Sequence, residues 1–252
     1  MIHFVGAGCG AADLITVRGK ALLEQADVII YAGSLVNPAL LEYKKEGCRV
    51  YNSAKMTLEE VLSVMLEGEA GGLSTVRLHT GDPCLYGAIR EQMDELDKRR
   101  IPYDYCPGVS AFSGAAAALK MEYTLPDISQ SVVITRMAGR TPVPERESVR
   151  SFAAHGATMI LFLSAGLLEQ TQAELLAGGY SPDTPAAIVY KASWPDERTV
   201  LCTVATLYDC ARENGIQKTA LIIVGDAVKQ SGYARSKLYD PTFATGFRPA
   251  RE

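Results

Sequence analysis

The chain opens with MIHFVGAGCGAADLIT, residues 1–16. Ile2, Phe4 and Val5 read as a buried strand that runs straight into Gly6, Gly8 and Gly10. Taken with Ala11, Gly6 and Gly8 fit G-x-G-x-x-G/A, the dinucleotide-binding pattern of an oxidoreductase. That pattern needs a helix opening right behind the glycines, so that backbone N–H groups meet a pyrophosphate. Here Asp13-Leu14-Ile15 intervene, and Thr16 is the better N-cap, ahead of Val17. The pattern also needs an acid at the far end of the second strand to hold a ribose. The next strand is Val28-Ile29-Ile30-Tyr31, and its acid, Asp27, sits at the wrong end. Two readings remain ahead of the dinucleotide one. The glycines serve a tight turn for backbone reasons alone, or they shape a loop for a different ligand.

Composition narrows the classes. A chain of 252 residues suits one large domain or two of about 100–130. Its 48% hydrophobic and 21% charged content is that of a globular protein. No apolar run approaches the ~20 residues of a membrane span, and the immediate entry into a strand predicts no signal peptide. The six cysteines (Cys9, Cys48, Cys84, Cys106, Cys202, Cys210) form no C-x-x-C pair, which predicts reduced thiols in a cytoplasm and no zinc site. His3, His79 and His155 lack metal-ligand spacing, so no metal is expected. A net charge of −4 argues against general affinity for nucleic acid.

Strand patterns at 2–5, 27–31, 49–52, 74–80 and 103–106 alternate with helical patterns at 16–25, 57–68, 86–100 and 110–119. That alternation predicts an α/β domain over 1–120 with a mainly parallel sheet. Residues 121–130 match neither period and read as a linker. A second α/β domain is expected over 131–228. Its strands fall at 132–134, 159–163, 187–190, 199–204 and 220–224, and its helices at 145–154, 166–177 and 205–214. Trp194-Pro195-Asp196-Glu197 reads as a hairpin-like turn, so the second sheet should be mixed. Residues 229–252 read as an extended tail. Two such halves are expected to form a ligand cleft between them.

Three strands of the first half end in punctuated loops: residues 6–10, then Thr80-Gly81-Asp82-Pro83-Cys84-Leu85-Tyr86-Gly87, then Pro107-Gly108-Val109-Ser110-Ala111. In a parallel sheet these loops share the ligand edge. The plain alternative for Asp82-Pro83 is a helix N-cap with proline in the first turn, and Ser110 has the same option.

The same residues carry a family resemblance. The glycine loop with Leu14-Ile15-Thr16, then Thr80-Gly81-Asp82-Pro83, then Pro107-Gly108-Val109-Ser110-Ala111, resembles the tetrapyrrole methylase family in its usual order. Residues 135–145 and 189–197 are similar to the branch that methylates precorrin-4 at C-11 in cobalamin biosynthesis. So are Tyr31-Ala32-Gly33-Ser34-Leu35-Val36 and residues 79–86. The likeness spans about residues 1–228; Cys9 stands where proline is common.

The resemblance implies two α/β domains holding S-adenosyl-L-methionine as methyl donor, and a homodimer. It implies donor contacts from Cys9, Thr80, Gly81, Asp82, Leu85, Ser110, Ala111, Leu163, Ser164, Ala192 and Ala220. It implies a polyanionic tetrapyrrole substrate, for which Arg136, Arg140 and Lys191 are the candidate contacts, because guanidinium and ammonium groups pair with carboxylate arms. The activity implied is methyl transfer to C-11 of precorrin-4 or cobalt-precorrin-4. Positioning in line with the S–CH3 bond can supply much of the rate, so no general base is required. Asp82, Tyr86, Tyr190 and Glu197 are the candidates for one. The rival readings are a methylase of the same fold acting elsewhere and a non-enzymatic tetrapyrrole-binding protein.

Overall fold

The computed structural model describes residues 1–33 and 35–251, so Ser34 of the Tyr31–Val36 motif lies outside the described residues, as does Glu252 of the tail. It divides into two compact units: Met1–Ala115 with Lys191–Glu197, and Ala116–Tyr190 with Arg198–Glu252.

The first unit is a parallel sheet. Its strands are β1 (Ile2–Gly6), β2 (Val28–Tyr31), β3 (Arg49–Asn52), β4 (Thr75–His79) and β5 (Tyr103–Cys106), in the order β3-β2-β4-β1-β5. All four pairings are parallel. Helices α1 (Val17–Gln25), α2 (Leu58–Ala70), α3 (Arg90–Lys98) and α4 (Ala111–Leu119) alternate with them. Thr16 caps α1 by accepting from the Gly19 N–H, and Thr57 with Glu60 closes a capping box on α2. A parallel sheet is stable only with both faces covered. One face buries Val5, Leu23, Ile29, Val76 and Leu78. The other buries Ile2, Phe4, Ile30, Met65 and Leu96.

The second unit holds β6 (Val132–Arg136), β7 (Thr158–Phe162), β8 (Pro185–Tyr190), β9 (Arg198–Thr203) and β10 (Ala220–Val224), in the order β6-β7-β10-β8-β9. Only β6 and β7 pair parallel; the remaining pairs are antiparallel. Helices α5 (Val149–Ala153), α6 (Leu168–Ala177) and α7 (Leu207–Glu213) cover a core of Met159, Leu161, Leu175, Ile188, Leu207 and Ile222. The mixed sheet follows from the β8–β9 hairpin, whose turn is Lys191–Glu197, as the Trp194-Pro195 reading expected. No described helix is long and apolar enough to cross a membrane.

Several local expectations are corrected. The helix read over 86–100 begins at Arg90, because Tyr86 and Ala88 adopt φ values of +57° and +49°. The helix read over 145–154 is split at Ser148, whose hydroxyl accepts from the Ser151 N–H and caps a separate α5. Pro38–Tyr43, read as no element, is a 3-10 helix capped by Asn37. Residues 121–130 are stitched into the second unit: the Thr158 hydroxyl donates to Tyr123 O at 2.8 Å, and Ser129 Oγ accepts from the Thr158 N–H at 3.0 Å.

The close approach at the carboxyl edge of the first sheet generates a stability prediction. A Cβ on Gly6 would lie 2.5 Å from Gly108 N and 2.7 Å from Gly81 O. Gly6→Ala is expected to destabilise the protein by about 3 kcal/mol, the upper end for overpacking, because backbone cannot swing aside. Gly72→Ala, at φ +67° with nothing within 4 Å, should cost only about 1 kcal/mol. Urea midpoints of the two variants check the contrast.

Candidate active site

Three loops leave β1, β4 and β5 at the same edge of the first sheet. The β1–β4 pairing continues past the strands as an antiparallel bridge between Gly8 and Gly81. The Gly8 N–H donates to Gly81 O at 3.2 Å, and the Gly81 N–H returns the bond to Gly8 O at 2.8 Å. Gly8 sits at φ +81° and Gly81 at +59°, conformations a side chain would strain. The third loop joins through Gly108, whose missing Cβ would fall 2.2 Å from Gly81 O.

Asp82 clasps the arrangement. Its Oδ2 accepts from the Gly108 N–H at 2.9 Å, and its Oδ1 accepts from the Cys84 N–H at 2.8 Å and from the Tyr105 hydroxyl. Burial pushes the Asp82 carboxyl upward, but the Tyr105 hydroxyl and the Cys84 and Gly108 N–H groups outweigh it and hold it below the usual range. Burial and the adjoining carboxylate raise Tyr105 in turn. Asp82 therefore does not cap a helix, as its Asp-Pro pairing allowed. No helix starts there, and the carboxylate is spent on joining two loops.

The Lys191–Glu197 turn packs on the glycine loop. Ser193 Oγ accepts from the Ala11 N–H at 2.9 Å and lies 3.3 Å from Cys9 Sγ. A Cβ on Gly10 would strike Trp194 Cδ1 at 2.3 Å, and one on Gly114 would strike Cys9 Sγ at 2.8 Å. Gly114 of α4 thus makes the space that the buried Cys9 fills. Asn37 Nδ2 donates to Gly10 O at 2.9 Å. Within the turn, Glu197 Oε2 accepts from the Ser193 N–H at 2.5 Å, and Lys191 pairs with Asp196 at 2.6 Å. Lys191 and Ser193 both carry positive φ, +47° and +63°.

The second unit gathers its own set at one edge of its sheet, where β6, β7 and β8 end and β9 and β10 begin. Leu163, just past β7, is 63% exposed at φ +53°. A strained, exposed leucine at a strand end is a poor choice for the fold alone. Ser164 is fully buried; its hydroxyl accepts from the Met137 N–H at 2.8 Å and donates to Phe162 O at 2.7 Å. Arg136 donates to Met137 O, Thr141 O and Pro142 O, so it knits its own loop. Arg140 is exposed and has no ion pair or hydrogen bond among the described residues. Tyr190 lies under the Arg198 guanidinium, 4.8 Å from its ring centre, and pairs in register with Ala220.

The sequence-predicted residues thus divide. Cys9, Thr80, Gly81, Leu85, Ser110, Ala111 and Ala192 meet along the loops and turn of the first unit, and Leu163, Ala220 and Arg140 stand on the second. Asp82, Ser164, Arg136 and Glu197 are present at these edges, each with polar atoms hydrogen-bonded inside the protein. Tyr86 is 44% exposed and lines a cavity of the first unit. The reading passed over Ser193, Asn37 and Tyr105, and also Arg77, His79 and Gln92 beneath the Leu85–Ala88 turn. The alternating Thr75-Val76-Arg77-Leu78-His79 in a central strand was the signal available for the last group.

A glycine-loop edge of this kind, at the carboxyl ends of parallel strands, is where open α/β proteins bind small molecules. The model of Tetrapyrrole (Corrin/Porphyrin) Methylases matches residues 1–208, and the chain belongs to that family. It is 51% identical over 251 residues to the cobalt-precorrin-4 C(11)-methyltransferase of Methanocaldococcus jannaschii, across 100% of this chain and 97% of that one. The X-ray structure of a cobalamin biosynthetic enzyme, a cobalt precorrin-4 methyltransferase, superposes with a TM-score of 0.88 at 47% identity, covering 90% of this chain and 95% of that one. The uroporphyrin-III C-methyl transferase of Thermus thermophilus complexed with S-adenyl homocysteine matches with a TM-score of 0.76 at 25% identity, covering 91% and 99%.

The Asp82 clasp sets a pH dependence. A carboxyl held below the usual aspartate range stabilises the fold above the unfolded pKa and loses that contribution as pH falls through the lowered value. Asp82→Asn should cost about 1–3 kcal/mol at neutral pH and flatten the loss of stability below about pH 5. Urea midpoints as a function of pH would read both effects; parallel curves for wild type and variant would refute the clasp.

Proposed function

We propose that this chain transfers a methyl group from S-adenosyl-L-methionine to C-11 of precorrin-4 or its cobalt chelate, in the assembly of the cobalamin ring. The observation that carries the reading is the full-length likeness to a cobalt-precorrin-4 C(11)-methyltransferase. The loop edge described above supports it in chemical terms. The donor, when bound, supplies a methyl already activated on a sulfonium.

The chain's own task is then to bind and orient. The positive-φ glycines Gly8 and Gly81 let a ligand approach the backbone closely. Leu85 and Leu163 offer apolar walls for an adenine, and Cys9, Thr80, Ser110, Ala111, Ala192 and Ala220 complete the proposed donor set. Asp82 and Ser164 contribute through the loops they hold in place. Arg140 and Lys191 are proposed to meet carboxylate arms of the macrocycle, with Arg136 fixing the loop that presents Arg140. The attacking carbon belongs to an electron-rich macrocycle, whose pyrrolic nitrogen can release the proton. No side chain is needed as base, in keeping with the engaged carboxylates of Asp82 and Glu197. A homodimer in the cytoplasm belongs to the same proposal.

Incubation of the purified protein with donor and precorrin-4, with and without cobalt, should yield one added methyl at C-11 by mass spectrometry and NMR. A methyl at another position would move the protein to a different member of the family. Failure to bind S-adenosyl-L-methionine at equilibrium would leave only a tetrapyrrole carrier. Arg140→Ala should raise KM for the macrocycle about tenfold and leave donor Kd unchanged; equal loss of both would remove Arg140 from the substrate.

A further inference from the structure

The central strand β4 breaks the rule of its own sheet. Strands buried on both faces read as apolar runs. Val76 and Leu78 obey on one face, yet Thr75, Arg77 and His79 are buried on the other, 0%, 6% and 4% exposed. They lie on the same face as Phe4, whose ring stacks on His79. Arg77 has no ion pair among the described residues. Its Nε donates to Gln92 Oε1 at 3.1 Å and its Nη1 to Ile30 O at 3.2 Å, both neutral acceptors. The Nε2 of His79 is buried and makes no hydrogen bond. Both side chains line an open cavity of about 280 Å³, together with the Leu85–Ala88 turn, strained at Tyr86 and Ala88, and with Met56 and Leu58.

A buried cation without a counterion costs several kcal/mol and is rarely retained for stability alone. The choice at position 92 sharpens the point. Gln92, 5% exposed, holds Arg77 with its amide oxygen and ties back to Ala88 O at 2.9 Å through its amide nitrogen. A glutamate there would neutralise the guanidinium; the amide orients it and leaves its charge unspent. Burial and Arg77 push the His79 imidazole down to about 3, so it is neutral, and in its Nε2–H form it is a second donor beside the guanidinium. The other ionisable groups on the cavity are Tyr86 and the exposed Glu91 at its rim.

We propose that Arg77 and His79 form a carboxylate-binding pocket in the first unit, which takes one acetate or propionate arm of the substrate. The assignment of that arm rests on the function proposed above; the pocket itself does not. The guanidinium donates through Nη2 to one carboxylate oxygen, Gln92 positions it, and His79 donates to the second oxygen.

The test uses the full-length protein. Nitrogen-15 NMR of its three histidines reports on the pocket directly. Sodium propionate should shift His79 and leave His155 unmoved, and neutral propionamide should do nothing. Uroporphyrin III should compete with propionate, and its octamethyl ester should not. Gln92→Glu places a carboxylate on Arg77 from within. It should fold, keep donor binding, and lose propionate affinity by at least about 30-fold, with a matching rise in KM for the macrocycle. Arg77→Met should do the same at unchanged or higher thermal midpoint, whereas a purely structural arginine would lower it. A His79 signal silent to propionate, or a Gln92→Glu variant that binds it as the wild type does, overturns the pocket. Propionate binding without competition by uroporphyrin overturns the arm and leaves a site for a free carboxylate. Absent methyl transfer, with the His79 response intact, would remove the proposed function and not the pocket.

Discussion

Everything at the ligand edge of the first unit depends on one contact: three glycine backbones packed closer than any side chain allows. Gly6 ends β1, Gly81 and Gly108 lie in the loops after β4 and β5, and neighbouring glycine main chain occupies the space that Cβ atoms on Gly6 and Gly108 would fill. Such an approach leaves N–H groups in need of partners. The Gly8–Gly81 bridge answers part of that need, and the Asp82 carboxylate answers for Gly108. The position of each loop is therefore set by the others. A ligand shaped to this edge meets a surface whose backbone is fixed before it arrives, which is the arrangement that in-line group transfer requires.

The fold was largely legible before the structure. The alternation of short apolar strands with capped helices located the elements of the first unit, and Trp194-Pro195 announced the antiparallel hairpin of the second. Failures cluster where backbone enters the left-handed region. Tyr86 and Ala88 carry helix-compatible side chains, and nothing in their identity signals φ values of +57° and +49°. The site was legible at its loops and less so in its side chains. Gly81 and Cys9 could be placed at the edge from spacing alone, but the partners of Asp82, Ser164 and Arg136 are tertiary. A sequence cannot say whether a carboxylate faces a ligand or a backbone N–H twenty-six residues away. Arg77 and His79 were illegible for the opposite reason: they sit inside a buried strand, and no motif marks a polar side chain there as buried.

Several strained residues fall where ligand contacts are proposed or beside them. Leu163, Lys191 and Ser193, all non-glycine, hold positive φ, a conformation costing of order 1–3 kcal/mol where it persists in a bulky residue. Each lies at the end of a strand or in the turn that follows one. For the turn, the compensation is visible: the Glu197 carboxylate on the Ser193 N–H, the Lys191–Asp196 pair, and Trp194 against Gly10. These contacts fix Ser193 so that its hydroxyl reaches Ala11, and through that bond the hairpin helps set the glycine loop.

That hairpin turn also bears on how such a chain can be divided. Lys191–Glu197 belongs to the first compact unit, although the strands on either side of it belong to the second. The polypeptide therefore enters the second unit, returns to the first for seven residues, and leaves again. Neither unit is a contiguous stretch of the gene. A truncation after Ala115 would strip the glycine loop of the Ser193 hydroxyl that holds Ala11 and expose the face of Gly10 that Trp194 covers. Recombination could not exchange one half for a homologous half without also exchanging this splint, so the two units are bound to diverge as a pair.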